Sequence, residues 1–221
     1  MEIEKLWEGI KTKDCTTCNN EDCNGRLNYN SLCANINYLK EYGEKNFKKN
    51  KETFAELKKL MGSEKPAVFS FGCGIGLDYV GATESFGSNL TYYPIDECKW
   101  AIMETDNYKK FEPKLPKRIM SLDEGMMLLT MTPRNAVVSF FNSLFSISKN
   151  TPNLKQKLIK TLQTKNNFYF VCDYTVNNNF HMPTAEQEFI SELIGELKHK
   201  FSFKEIDILD DKGIIISGQR K

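Results

Sequence analysis

Three glycines at alternate positions, Gly72, Gly74 and Gly76, follow an apolar run in the stretch PAVFSFGCGIGLDYVGA, residues 66–82. A glycine turn between a strand and a helix lets backbone come close to a ligand, because no Cβ stands in the way. The helix behind it offers free N–H groups and the positive end of its dipole. Asp96 comes twenty residues after Gly76, where the next strand is expected to end. An acid at that place can accept two hydrogen bonds from a ribose diol. Strand, glycines, helix, strand, acid is the order that a nucleotide-binding turn requires. The spacing is G-x-G-x-G, not the G-x-G-x-x-G of dinucleotide folds, whose third glycine falls here on Leu77. No G-x-x-x-x-G-K-[ST] occurs, which excludes a P-loop.

A second set of residues sits near the N-terminus. Cys15, Cys18, Cys23 and Cys33 have C-x2-C-x4-C-x9-C spacing, with polar, turn-forming residues between them. Four thiolates can enclose a tetrahedral zinc, and the spacing departs from the usual pair of C-x-x-C knuckles. An iron–sulfur cluster finds no better match. Cys33 falls on an expected helix, where a cysteine also serves as a small apolar residue. The run Lys45-Asn46-Phe47-Lys48-Lys49-Asn50-Lys51 is basic; it reads as a solvated helix face, with contact to a phosphate backbone as the alternative.

The elements that must position these residues follow from periodicity. Ile3, Leu6, Trp7 and Ile10 mark a short amphipathic helix. A helical pattern runs from about residue 31 to 61, with Gly43 placed to break it, and Gly62 and Pro66 stop it. From there strands and helices alternate. Strands are expected at 67–72, 90–95, 118–121 (weak), 135–141 and 167–172, with a closing pair at 203–209 and 213–217. Helices are expected from about 77, and at 102–108, 124–130, 154–164 and 184–200. Such alternation predicts an α/β fold with a mostly parallel sheet and helices on both faces. The last turn is too short for a parallel crossover, so the closing pair is an antiparallel hairpin. The expectation is seven strands in residues 65–221, preceded by an N-terminal helical cap, 1–64, that carries the cysteine-rich segment.

With that hairpin, FSFGCGIGLD, the acid of YYPID and the fourth strand running into FFNSLF resemble the class I S-adenosylmethionine-dependent methyltransferases. The resemblance spans about residues 66–221 and is one of fold and cofactor; it singles out no particular methylation family. It implies that Gly72, Cys73, Gly74 and Gly76 pass under the methionine and ribose of the cofactor. Asp96 would hold the ribose hydroxyls, Ile95 or Glu97 would flank the adenine, and Asp123 would reach its amine. Asn142 would sit where substrate and methyl group meet. Asp123 and Asn142 also read as helix-cap or turn residues. Ser70 stands where such enzymes usually carry an acid that helps to place the cofactor's amino group, and Asp78, two residues past the last glycine, is the candidate to replace it. Asn142-Ser143-Leu144-Phe145 lacks both prolines of the Asn-Pro-Pro-aromatic pattern, so the amino-methylating nucleic-acid specificity is not carried over.

The methyl acceptor is expected to be a nucleic acid or a small molecule. Asn142, Ser143 and Tyr174 are the catalytic candidates, Asp173 lies with them, and His181 reads as an exposed loop residue. A second reading is a methyltransferase fold retained as a nucleic-acid- or protein-binding module; a third is cleavage of the same cofactor. Net charge is +1 over 221 residues, with 40% hydrophobic and 27% charged residues, so no global field points to nucleic acid or acidic lipid. The longest apolar runs fall far short of the ~20 residues of a membrane helix. Seven cysteines, an odd number, together with an acidic N-terminal segment, lead us to expect a cytoplasmic protein without a disulfide framework.

Overall fold

Five buried residues in a row, Ala67–Phe71, form β1, the strand on which the sheet is built. A computed structural model describes residues 32–98, 100–104, 118–133, 135–173, 184–208 and 213–221. In chain order the elements are α1 (Leu32–Tyr38), a π turn (Leu39–Gly43), α2 (Glu44–Met61), β1, α3 (Leu77–Phe86), β2 (Thr91–Ile95), α4 (Leu122–Met131), β3 (Ala136–Phe140), α5 (Leu144–Asn150), α6 (Leu154–Leu162), β4 (Asn167–Asp173), α7 (Ala185–Leu197), β5 (Phe201–Ile208) and β6 (Gly213–Arg220). Gly43 does not break the first helical run. Its backbone is helical, at φ −58° and ψ −51°, and the chain passes from α1 to α2 through the π turn.

Among the described residues the sheet has six strands in the order β2-β1-β3-β4-β6-β5, where seven were expected. β2, β1, β3 and β4 are parallel, and β6 runs antiparallel to both β4 and β5, as the short final turn requires. The missing strand is the weak one at 118–121. It survives as a single parallel bridge, Met120 to Ile95, on the outer edge of β2. Two constraints shorten it. Pro94 accepts from Met120 N–H at 2.9 Å but has no N–H to return. One residue later, Ser121 caps α4 in a capping box with Glu124, so the chain has already turned into a helix. The helix expected at 102–108 is a 3-10 turn, Ala101–Glu104, with the following residues outside the described set.

Alternation along the strands sorts the core into two faces. Phe69, Phe71, Phe140 and Phe170 meet Leu129 of α4, Leu158 of α6 and Leu193 of α7 on one side. Val68, Val137, Val171 and Ile215 meet Phe54, Leu57 and Met61 of α2 and Ala82 and Phe86 of α3 on the other. The segment 44–61, read from sequence as part of a cap, is thus one layer of the α/β core. Gly81 of α3 permits the contact: a Cβ there would lie 3.0 Å from the backbone nitrogen of Lys51. α1 makes a third, smaller cluster, in which Ile36 and Leu39 pack on Ile75, Leu77 and Trp100.

Phe54 is fully buried in this arrangement. Phe54→Ala should cost about 3–5 kcal/mol of unfolding free energy, the range for emptying a buried aromatic site. Urea denaturation checks it, and a loss below about 1 kcal/mol is what a detachable cap would give.

Candidate functional site

The glycine turn leaves the carboxyl end of β1, and all three glycines are left-handed: φ is +73° at Gly72, +54° at Gly74 and +83° at Gly76. Side chains rarely adopt that conformation. Close packing adds a second reason at two of them. A Cβ on Gly72 would fall 2.3 Å from Ser143 Cβ, and one on Gly74 would fall 3.2 Å from the Trp100 ring. The turn is tied to β2, because Ile95 O accepts from Gly72 N–H at 2.7 Å and from Cys73 N–H at 3.1 Å.

Above this turn lies a cavity of about 220 Å³. Gly72, Cys73 and Gly74 of the turn line it, together with Asp78, Asp96 and Trp100. Asn142, Ser146 and Ile147 complete the lining from the end of β3 and from α5, and α1 and α2 contribute Tyr38, Asn46 and Asn50. The carboxyl ends of parallel strands are where α/β sheets open crevices.

Asp96 joins the two turns. Its Oδ2 accepts from Gly74 N–H and its Oδ1 from Cys98 N–H, both at 2.8 Å. Each oxygen keeps a further lone pair. Burial is the largest influence and holds this carboxyl above its ordinary value, against the backbone donors and the Trp100 indole, which favour the charge.

Asp78, in the first turn of α3, is 2% exposed. Its Oδ1 accepts from the Tyr92 hydroxyl at 2.8 Å, while its Oδ2 is buried with no hydrogen-bond partner among the described residues. Burial raises its pKa to about 6, and the adjoining Ser70 and Tyr92 hydroxyls oppose the shift. Ser70 itself is buried behind Asp78 and does not line the cavity.

At the ends of β3 and β4 a third group forms. Asn142 has φ +53°, the only positive φ on a non-glycine residue among those described. Its backbone N–H donates to Asp173 Oδ1 at 2.6 Å, and Lys49 Nζ donates to its side-chain oxygen at 2.8 Å. Lys49 also pairs with Asp173. The Asp173 side chain is 3% exposed and that of Lys49 17%. Burial is the largest influence on Asp173 and raises its pKa; Lys49 is the next and lowers it. Lys49 is therefore turned inward, where the sequence suggested a solvated face.

The remaining expectations divide. Glu97, Cys73 and Ser143 line the cavity, but the Ser143 hydroxyl is engaged with Phe71 O at 2.6 Å. Asp123 is not brought to the cavity; its side chain is 85% exposed and pairs with Lys157 at 2.9 Å. Tyr174, His181, Cys15, Cys18 and Cys23 lie outside the described residues, and of Cys33 only its place in α1 is described. Among the described residues no group of three or more His, Cys, Asp or Glu is placed to hold a metal, and no helix is long and apolar enough to cross a membrane. Sequence reading missed Tyr38, Asn46, Lys49, Asn50 and Trp100. A signal for two of them was present: Asn46, Asn50 and Thr53 continue the spacing of Phe54, Leu57 and Met61 along one helical face.

No protein-family profile matches the chain, and no curated protein is detectably similar to it in sequence. Solved structures do share its architecture. A protein from Klebsiella pneumoniae designated an O-methyltransferase superposes with a TM-score of 0.50 at 8% identity, covering 80% of this chain and 89% of that one. Cofactor-bound Rv0187 from MTB superposes with a TM-score of 0.50 at 10% identity, covering 79% and 80%. A SAM-dependent methyltransferase from Aquifex aeolicus gives 0.49 at 13% identity, covering 76% and 90%. At these identities the likeness is one of fold, a mixed α/β sheet flanked by helices.

Removing Lys49 leaves a buried carboxylate without its cation. Lys49→Met should lower stability at pH 8 by about 3 kcal/mol, the scale of a broken buried pair. The Lys49→Met, Asp173→Asn double variant should recover most of that loss. Without the lysine the Asp173 pKa rises further above its unfolded value. The folded state then takes up the proton more readily, and the deficit shrinks as pH falls toward 5. Chemical denaturation at the two pH values reads both effects; a deficit that does not depend on pH would mean that Asp173 is not the group left unpaired.

Proposed function

We propose that the protein is an S-adenosylmethionine-dependent methyltransferase. The carrying observation is the cradle itself: three left-handed glycines clear the floor of a cavity beside an acid at the end of β2. Side chains at Gly72 or Gly74 would collide with Ser143 or crowd Trp100, so the turn is built for close approach. The residues present fit the cofactor. Asp96 has lone pairs left for a ribose diol, and Asp78 Oδ2 is a buried acceptor awaiting a donor. When bound, S-adenosylmethionine supplies a methyl group on a sulfonium, already activated toward a nucleophile.

The chain's own task is then to bind, align and exclude water. Trp100 and Tyr38, in edge contact at 5.3 Å, close the side of the cavity nearest Asp96. Lys49 occupies the Asn142 oxygen, which leaves the amide NH2 of that residue as a donor for the acceptor molecule. Asp173 clamps the Asn142 backbone in its left-handed conformation from β4. Ser143, held by Phe71 O, positions α5 against the turn and does not serve as a free base. The acceptor, a nucleic acid or a small molecule, would enter past Asn142.

Isothermal titration with S-adenosylhomocysteine tests the reading. The wild type should bind it and gain melting temperature. Asp96→Ala should bind at least about tenfold more weakly, the scale of losing charge-assisted hydrogen bonds. No heat and no thermal shift for the wild type at millimolar ligand would reject the assignment.

A further inference from the structure

The cofactor turn lacks an acid at position 70, yet a carboxylate stands directly in front of that serine. Asp78 reaches the cavity wall from the first turn of α3. Groups from every neighbouring element surround it: Ser70 from β1, Tyr92 from β2, Cys73 from the glycine turn and Asn50 from α2. In the orientation that satisfies both its ends, the Asn50 carboxamide accepts from Asp78 N–H at 3.2 Å. No lysine or arginine is among the influences on the Asp78 carboxyl. Among the described residues, Lys51 is engaged with Glu84 at 2.8 Å and Lys49 with Asp173. One carboxylate oxygen is satisfied by Tyr92, and the other, Oδ2, is buried without a partner among the described residues. Leaving a buried carboxylate oxygen bare is costly, and a cationic donor removes that cost.

We infer that Asp78 is the ammonium-binding group of the cavity, its carboxylate taking the α-amino group of the methionine portion of S-adenosylmethionine in place of the acid absent at Ser70. The inference rests on the proposed function. It assigns the anionic end of the cavity to α3 and so sets the direction in which the cofactor lies, with its amino-acid end toward α2 and α3 and its ribose toward Asp96. An arriving ammonium favours the charged carboxylate, so binding below about pH 6 also releases the proton that burial had allowed the group to keep. Tyr92 and Cys73 are both pushed well above their ordinary values and stay neutral over that range. Asp96 is raised as well, but it faces the ribose end.

Titration of the full chain with two probes tests this. S-adenosylhomocysteine carries the amino-acid end; 5′-methylthioadenosine keeps the ribose and base and lacks it. Asp78→Asn should weaken S-adenosylhomocysteine about 10- to 100-fold, the range for a lost charge-assisted hydrogen bond. It should leave 5′-methylthioadenosine within about threefold, and it should not lower the melting temperature of the free protein, because a desolvated charge is removed. Tyr92→Phe, which removes an internal hydrogen bond to Asp78 but keeps the carboxylate, should retain S-adenosylhomocysteine far better than Asp78→Asn. Wild-type affinity for S-adenosylhomocysteine should fall about tenfold from pH 7 to pH 5, while Asp78→Asn shows no such fall. Equal losses for both probes with a lowered melting temperature would make Asp78 a structural residue and overturn the inference. Unchanged affinity for S-adenosylhomocysteine in Asp78→Asn would overturn it too. A wild type that binds neither probe would overturn the proposed function, and the inference with it.

Discussion

The carboxylate of Asp96 is the joint on which the mouth of the sheet depends. It accepts one backbone N–H from the glycine turn and one from the turn after β2, and so fixes two loops that leave adjacent parallel strands. Backbone donors in such turns have no ladder partner of their own, and a buried one left unpaired is costly. Asp96 satisfies both at once. The left-handed glycines follow from the same constraint. To present Gly74 N–H to Asp96 while Gly72 and Cys73 N–H reach Ile95 O, the chain must fold back on itself within a few residues. That path needs positive φ at each alternate position, and only glycine adopts it there without strain.

α2 carries the second constraint, because one helix serves both the core and the site. Along a single face, Phe54, Leu57 and Met61 lie over the sheet, and Asn50 and Asn46 continue the same stripe past its edge to the cavity. The change from aliphatic to carboxamide side chains marks where the helix leaves apolar surface and reaches polar backbone. Lys49, one residue off that stripe, reaches Asp173 at the end of β4 and Asn142 in the turn after β3. A helix held this way by Gly81 and the core cannot shift without moving three residues of the site, so the rigidity of the pocket derives from hydrophobic packing well away from it.

Much of this was legible because it is local. The turn, Asp96, the alternation of strands and helices and the final hairpin each follow from spacing or from loop length, which act over short stretches of chain. What escaped depends on pairs distant in sequence. Lys49 looks like one of several solvated lysines until α2 is laid on the sheet beside Asp173, 124 residues away. Asp123 looks like a ligand contact because it follows a strand, but the chain leaves the sheet at Met120 and a helix starts at Ser121, so its side chain faces solvent and Lys157. The expected strand at 118–121 stops short because Pro94, with no N–H, denies a seventh strand its second rung. Trp100 gives no pattern at all; its place against Gly74 is set by a turn of irregular backbone.

The electrostatics of the cavity lead to its chemistry by a separate route. Two aspartates, Asp78 and Asp96, line it, and a third, Asp173, holds Asn142 of its wall; burial is the leading influence on each, raising all three. Asp173 has a lysine partner; among the described residues, Asp78 and Asp96 are met only by neutral donors. Lining a small cavity with two desolvated carboxyls that no described cation meets costs folding stability, and a fold under selection for stability alone would fill those positions with apolar or paired groups. The cost is recovered when a positively charged ligand enters, since its charge is then seen in a medium of low dielectric. A methyl donor that carries both a sulfonium and an ammonium has that character. These acids and the bare glycine floor thus make the same demand on the ligand: it must approach backbone closely, offer hydroxyls or N–H donors, and bring a positive charge that the described residues do not supply at Asp78 or Asp96.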